Sequence, residues 1–251
     1  WAMPATPAWP PRSAPRLFIE PQLTLGAQQR LEGNAAHYLA QVMRVKAGDA
    51  VILCDDKTGE WAARVTEVAK RAVLVDVVQQ LRGREDVPDL WLCLAPIKKP
   101  HFDWVLEKAT ELGVGMIQPV LTRRSVVDKV NGERARAIMT EAAEQCARTA
   151  LPGIGELERL ERRLGAWPAG RMLFFADEMG GAPALEAFAA APGPAAILIG
   201  PEGGFDDAER AAIRAHPAAR AISLGPRILR AETAALAAVT LWMAAAGDWA
   251  A

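Results

Sequence analysis

Two glycine-bearing stretches near the C-terminus hold the residues best suited to chemistry. They are Ile199-Gly200-Pro201-Glu202-Gly203-Gly204-Phe205 and Ser223-Leu224-Gly225-Pro226-Arg227-Ile228-Leu229-Arg230-Ala231-Glu232-Thr233-Ala234. In the first, Pro201 fixes φ and removes a backbone donor, while Gly203 and Gly204 let the main chain approach a ligand or take φ > 0. The Glu202 carboxylate offers acceptors to a ribose, an amine or a neighbouring arginine. The stretch also reads as a plain strand-to-helix turn, since it is neither GxGxxG nor a phosphate loop ending in GK[ST]. In the second, Arg227 and Arg230 flank the apolar pair Ile228-Leu229. Apolar residues there suit a flat ring such as adenine, and arginines suit phosphate or carbonyl oxygens. Glu232 and Thr233 have a helical explanation as well, a carboxylate facing the helix dipole, worth roughly 0.3–1 kcal/mol, and a capping hydroxyl.

Each stretch follows a short apolar run, Ala195 to Ile199 and Ala221 to Leu224, and leads into a helical pattern. That places both at the C-terminal edge of an α/β sheet, where ligand crevices form. Leu90 to Ala95, Met116 to Leu121 and Arg171 to Ala176 read as further strands. Between them, His101 to Leu112 is an amphipathic helix with Phe102, Val105, Leu106, Ala109 and Leu112 on one face, and Glu133 to Ala150 is a second helix. Asp206-x-x-Glu209 opens a short helix as a capping box, and Glu232 to Ala246 is a final, very apolar helix. The alternation predicts a mostly parallel sheet. Earlier in the chain the rhythm differs. Arg16 to Ile19, Val51 to Cys54, the alternating Trp61, Ala63 and Val65, and Val73, Val75 and Val77 are short strands joined by tight turns, which predicts a small barrel-like sheet. Asn34 is placed as the cap of a helix running to Arg44, with Leu39, Val42 and Met43 inward. The polar stretch Arg82 to Pro88 is the linker. The expected organisation is a flexible lead over 1–15, a β-barrel domain over 16–83 and an α/β domain over 88–251.

Composition narrows the classes. The chain has 251 residues and a formal net charge of -1, so no global positive field advertises nucleic acid, although local clusters can. Cys54, Cys93 and Cys146 are scattered without a CxxC pair, which reads as reduced thiols in a cytoplasmic protein. His37, His101 and His216 form no metal-ligand spacing, so no metal is expected. No apolar run reaches membrane-spanning length, so no membrane partner is expected.

Taken with Asp103 to Val114 (DWVLEKATELGV) and Glu141 to Cys146 (EAAEQC), the motifs IGPEGGF and LGPRILRAETAALAA resemble the RsmE family of bacterial 16S ribosomal RNA uracil-N3 methyltransferases. The similarity runs from about Arg16 to the end. It implies an N-terminal PUA-like β-barrel and a C-terminal SPOUT α/β domain tied in a trefoil knot. Periodicity alone gives an ordinary doubly wound sheet, because knots are nearly absent from proteins. The resemblance also implies S-adenosylmethionine as cofactor, 16S ribosomal RNA of the small subunit as partner, and a homodimer. The apolar breadth of the last helix, at Leu236, Val239, Leu241, Trp242 and Met243, fits burial at a subunit interface. By the family pattern, three strand-end loops build the cofactor site. Its residues would be Phe175 and the segment after it, Gly200, Pro201, Glu202, Gly203 and Gly204, then Leu224, Gly225, Arg227, Ile228, Leu229 and Ala234. Two positions depart from the family: Ala231, where many relatives carry threonine, and Lys98 to His101, where a glycine-containing turn is common.

N3 of uracil must lose its proton before it can accept a methyl group, and negative charge then spreads over both carbonyl oxygens. Arg230 is the first candidate to stabilise that charge and Arg227 the second. Glu202 or Glu232 would be the base. RNA contacts are expected from Arg12, Arg16, Arg44, Lys46, Lys98, Lys99, Arg123 and Arg124, each of which also reads as a solvated surface charge. The alternatives are a related knotted enzyme acting on a ribose 2′-hydroxyl or another base, and a noncatalytic ribosome-assembly factor. A nucleotide-binding oxidoreductase would need a GxGxxG after a strand, and the chain has none.

Overall fold

Val73, Val75 and Val77 point to one side of a strand whose intervening positions, Leu74 and Asp76, are more exposed, the period-two pattern of a sheet with one buried face. The computed structural model describes residues 9–249, so 1–8 of the expected lead lie outside the described residues. The chain divides into two units, one reaching to Asp86 and taking in Ala143–Ala150, the other holding Val87–Ala142 and Leu151 onward.

In the first unit the strands are β1 (Arg16–Phe18), β2 (Gln28–Glu32), β3 (Ala50–Cys54), β4 (Glu60–Val68) and β5 (Ala72–Arg82). They form one sheet in the order β1-β3-β4-β5-β2, antiparallel except for the β1–β3 pair. Register shifts between β4 and β5 bend it. Leu31, Val51, Leu53, Trp61 and Val75 form the apolar interior. The β3–β4 turn is organised by Asp55, 3% exposed, whose carboxylate accepts from the backbone of Leu23, Lys57 and Thr58 and from the Thr58 hydroxyl. Desolvation pushes this carboxyl upward, but the four donors outweigh it and hold it below the ordinary value.

The helix expected from Asn34 to Arg44 is shorter and differently wound. An α-helical turn, α1 (Gly33–His37), passes into a π-helical turn over Tyr38–Val42, closed by Met43 N–H to the Tyr38 carbonyl. The wider winding rotates Val42 and Met43 outward, 60% and 39% exposed, and only Leu39 of the expected inner trio is buried.

The second unit runs β6 (Leu90–Leu94), α2 (Lys99–Glu111), β7 (Met116–Leu121), α3 (Gly132–Gln145), β8 (Gly153–Ile154), β9 (Glu158–Arg159), α4 (Leu160–Gly165), β10 (Met172–Ala176), β11 (Ala182–Pro183), α5 (Ala184–Ala189), β12 (Ala195–Ile199), α6 (Asp207–Ala215), β13 (Ala219–Ser223) and α7 (Ala231–Ala246). Every strand pair is parallel, in the order β11-β13-β10-β12-β6-β7-β8, with β9 beside β7. Alternation along each strand feeds two apolar layers. Leu92, Phe174 and Ile197 pack with α2, α5 and α7, whereas Cys93, Phe175 and Leu198 pack with α4 and α6. The helix expected to reach Ala150 ends at Gln145, because Ala147 takes φ 61° and Arg148 is drawn into the first unit. There the buried Arg148 faces Glu85 at 4.0 Å.

What matters for function is the order at the centre. β10 precedes β12 and β13 in the chain yet lies between them. Parallel pairing then puts the three C-terminal ends on one edge, side by side.

Candidate functional site

A cavity of about 350 Å³ opens at that edge, entirely within the second unit. Its volume falls in the range of small-molecule sites, roughly 300–1,000 Å³. The ends of β10, β12 and β13 supply its walls, and Ala234 of α7 and Arg210 of α6 complete them. The lining is graded. The β13 side combines apolar Ile222, Leu224, Ile228 and Leu229 with Arg227 and Arg230, while Asp177, Glu178 and Arg210 line the β10–α6 side.

Local sequence explains the middle wall. Pro201 and Gly204 close a turn through Gly204 N–H to the Pro201 carbonyl, 2.9 Å. Gly204 has φ +65°, and a Cβ there would sit 3.2 Å from Glu178 Oε1. A Cβ at Gly200 would meet the Phe205 ring at 3.2 Å. The turn then enters α6 through the reciprocal capping box of Asp206 and Glu209. The Glu209 backbone N–H, against slight desolvation, holds the Asp206 carboxyl below its ordinary value, with help from Arg123. Behind the turn stands the end of β7. Arg123 donates its backbone N–H to Glu209 Oε1 at 2.7 Å and its guanidinium to Asp206 at 3.1 Å. Arg124 Nη1 donates to the Gly203 carbonyl at 2.9 Å.

On the charged side Asp177, its side chain 1% exposed, receives Arg214 Nη2 at 2.6 Å and faces Arg210 Nε at 3.2 Å. Arg210 in turn donates to Glu178 Oε1 at 3.0 Å. A buried carboxylate is tolerable only with such partners. The network fastens α6 to the end of β10.

The structure brings most of the expected cofactor residues to this cavity: Gly200, Pro201, Glu202 and Gly204 from one loop, and Leu224, Gly225, Arg227, Ile228, Leu229 and Ala234 from the other, with Arg230 beside them. Arg227, Arg230 and Ile228 are exposed there. Three expected residues lie outside the lining. Phe175 is on the opposite face of its strand, buried below the Arg214 guanidinium. Gly203 backs onto Arg124. Glu232 turns away to His101, with Oε1 3.4 Å from Nδ1. The segment after Phe175 lines the cavity through Ala176, Asp177, Glu178 and Gly180; sequence reasoning singled out neither acid and missed Arg210.

Of the expected RNA contacts, Arg12, Arg44, Lys46, Lys98 and Lys99 are exposed. Arg16 is mostly buried and ion-paired with Glu60. Arg123 and Arg124 are engaged by the cavity turn, as described.

Comparison with known proteins gives a consistent picture. A family model described as an RNA methyltransferase domain matches residues 84–243, and one described as an RNA methyltransferase PUA domain matches residues 31–78. The chain is 31% identical to Ribosomal RNA small subunit methyltransferase E of Synechocystis sp., covering 87% of this chain and 74% of that one. It is 29% identical to the protein of that name from Rickettsia conorii, over 89% and 93%. Among solved structures, Ribosomal RNA small subunit methyltransferase E from Neisseria gonorrhoeae, bound to S-adenosyl methionine, superposes with a TM-score of 0.86 at 27% identity, over 94% and 99% of the two chains. A methyltransferase from Legionella pneumophila in complex with the same cofactor gives 0.83 at 28%, over the same shares.

Proposed function

This chain belongs to the RNA methyltransferase family of ribosomal RNA small subunit methyltransferases E, and we propose that it methylates N3 of one uridine in 16S ribosomal RNA using S-adenosylmethionine. The observation that carries the reading is the cavity at three adjacent parallel strand ends, with glycine-permitted close approach on one wall and two exposed arginines on another. Its apolar side fits an adenine ring, and its charged side fits the polar remainder of the cofactor. The family resemblance gives the backbone around Leu224, Gly225, Ile228 and Leu229 both the adenine and the methionine ends; we assign it the ring alone, since the side chains there are apolar.

Bound S-adenosylmethionine supplies an electrophilic methyl group on a sulfonium. The chain's own residues must do the rest. Glu202 lines the cavity and Glu232 does not, so Glu202 is the group that takes the N3 proton. Arg230, exposed at the cavity rim, donates to the carbonyl oxygens on which charge develops, and Arg227 assists. A preorganised donor of this kind is worth about 10²–10³ in turnover. Fixing two reactants in one geometry contributes as much or more.

RNA reaches the site through local patches, with Arg44 and Lys46 on the PUA domain and Lys98 and Lys99 before α2 exposed for phosphate contact. Of the α7 residues expected at a subunit interface, Val239, Trp242 and Met243 are buried in the chain's own core, and the half-exposed stripe Leu236, Ala237, Thr240 and Leu241 is what supports a homodimer. A trefoil knot in the C-terminal domain and action in the cytoplasm, where the small subunit is made, belong to the same reading. Mass mapping of small-subunit RNA from cells lacking and regaining the protein tests it. Loss and return of one N3-methyluridine is expected, and an unchanged map refutes it. Arg230→Ala should lower turnover by about 10²-fold; turnover and RNA binding both left intact would remove Arg230 from the mechanism.

A further inference from the structure

We infer that Glu178 receives the α-ammonium group of the cofactor's amino-acid end, with Arg210 as the residue that positions it; this rests on the S-adenosylmethionine reading of the cavity. The first argument is polarity. A nucleoside joined to an amino acid has one flat, weakly polar end and one zwitterionic end. The cavity matches that division: the β13 side offers Ile222, Leu224, Ile228 and Leu229 with two arginines and no acid, and the carboxylates Asp177 and Glu178 stand on the β10–α6 side. The amino-acid end therefore belongs beside β10, away from the β13 loop that holds the ring.

The second argument is elimination among carboxylates. Asp177 is 1% exposed and already engaged by Arg210, Arg214 and the Met179 backbone N–H, so it has no room for a ligand. Glu178 is 47% exposed and lines the cavity. Its Oε1 is held by Arg210 at 3.0 Å, while Oε2 accepts no hydrogen bond among the described residues. It also reaches across to Gly204, where a Cβ would stand 3.2 Å from Oε1. Glycine at 204 is what allows the acid to span the two walls.

The role of Arg210 follows from its partners, since Asp177, Glu178 and Asp207 all stand within ion-pair distance of its guanidinium. Arg210 is too fully committed to acids to bind a ligand carboxylate, so it orients Glu178. An ammonium–carboxylate contact is charge-assisted and short, which gives it both strength and direction.

Calorimetry on the full chain tests this with three probes. S-adenosylhomocysteine and 5′-methylthioadenosine share adenine, ribose and a neutral thioether, and only the former has the amino-acid end. Glu178→Gln should weaken S-adenosylmethionine and S-adenosylhomocysteine about tenfold each and leave 5′-methylthioadenosine within about twofold. Arg210→Lys, which keeps the charge but not the planar fork, should give part of that loss with the same selectivity. Equal weakening of all three ligands, loss for S-adenosylmethionine alone, or selective loss in Glu202→Gln with Glu178→Gln silent would each overturn the assignment. A wild-type chain that binds neither S-adenosylmethionine nor S-adenosylhomocysteine removes the reading of the cavity and this inference with it. A wild type that binds both while Glu178→Gln changes nothing overturns the inference alone.

Discussion

Arg124 separates two accounts of the same charge. As an RNA contact it would touch phosphate; as a brace it holds the Gly203 carbonyl through Nη1 at 2.9 Å. A charge-assisted hydrogen bond is worth about 1.5–3 kcal/mol, but this guanidinium is exposed, so solvent screening reduces it to about 1 kcal/mol. If the turn Pro201–Gly204 must be held still to bind cofactor, Arg124→Ala should weaken S-adenosylmethionine about fivefold. Arg124→Lys should recover part of the loss, since the contact is a single donor to one carbonyl oxygen. The phosphate account makes a different demand. Losing one phosphate contact lowers the slope of log affinity against log salt by about 0.7 on single-stranded RNA. Calorimetry with cofactor and a salt titration with RNA, on the same variant, therefore disagree in a readable way. Unchanged cofactor affinity with a slope reduced by about 0.7 would refute the brace.

Three further outcomes follow from the structure. Gly181→Ala should destabilise the second unit by about 1–3 kcal/mol, because its Cβ would stand 2.4 Å from the Ala221 backbone, where β11 meets β13; a urea midpoint equal to wild type would contradict this. The Asp55 carboxyl is held below its ordinary value of 3.8, so its contribution is present above that value and lost as pH falls through the lower folded one. The stability gap between wild type and Asp55→Asn should accordingly narrow on acidification below 3.8, and a gap that is flat with pH counts against the four-donor account. Burial pushes the Cys54 and Cys93 thiols up to about 12, whereas Cys146 is exposed. Ellman's reagent should titrate one thiol in the native protein and three after denaturation, and rapid reaction of all three in the native state would be inconsistent with this packing.

Local pattern carried much of the fold. Met116–Leu121 and Ala195–Ile199 are strands at the expected bounds, and the capping box at Asp206 forms in both directions. These elements are specified by residues within a few positions of one another. The helix after Asn34 and the end of α3 are not. A π turn moves Val42 outward by changing the winding, and Arg148 leaves the helical path for a partner, Glu85, from a distant part of the chain. Periodicity contains neither event.

The site divides the same way. Gly200 to Gly204 and Leu224 to Ala234 were legible because glycines gather in the first loop and two arginines flank an apolar pair in the second. The segment after Phe175 was placed by resemblance, but the link from its Asp177 and Glu178 to Arg210 was not, since Glu178 and Arg210 lie 32 residues apart and meet only because β10 sits between β12 and β13. One signal was available: Arg210 and Arg214 are spaced i, i+4 and so share a helix face, opposite an acidic pair that ends a parallel strand. Glu232 shows the converse error. Arg230 is the N-cap of α7, and residues 231 and 234 face the cavity. At about 100° per residue, position 232 must then point elsewhere, toward His101. The proposed mechanism nominated both glutamates as bases; the phase of one helix leaves only Glu202 at the cavity.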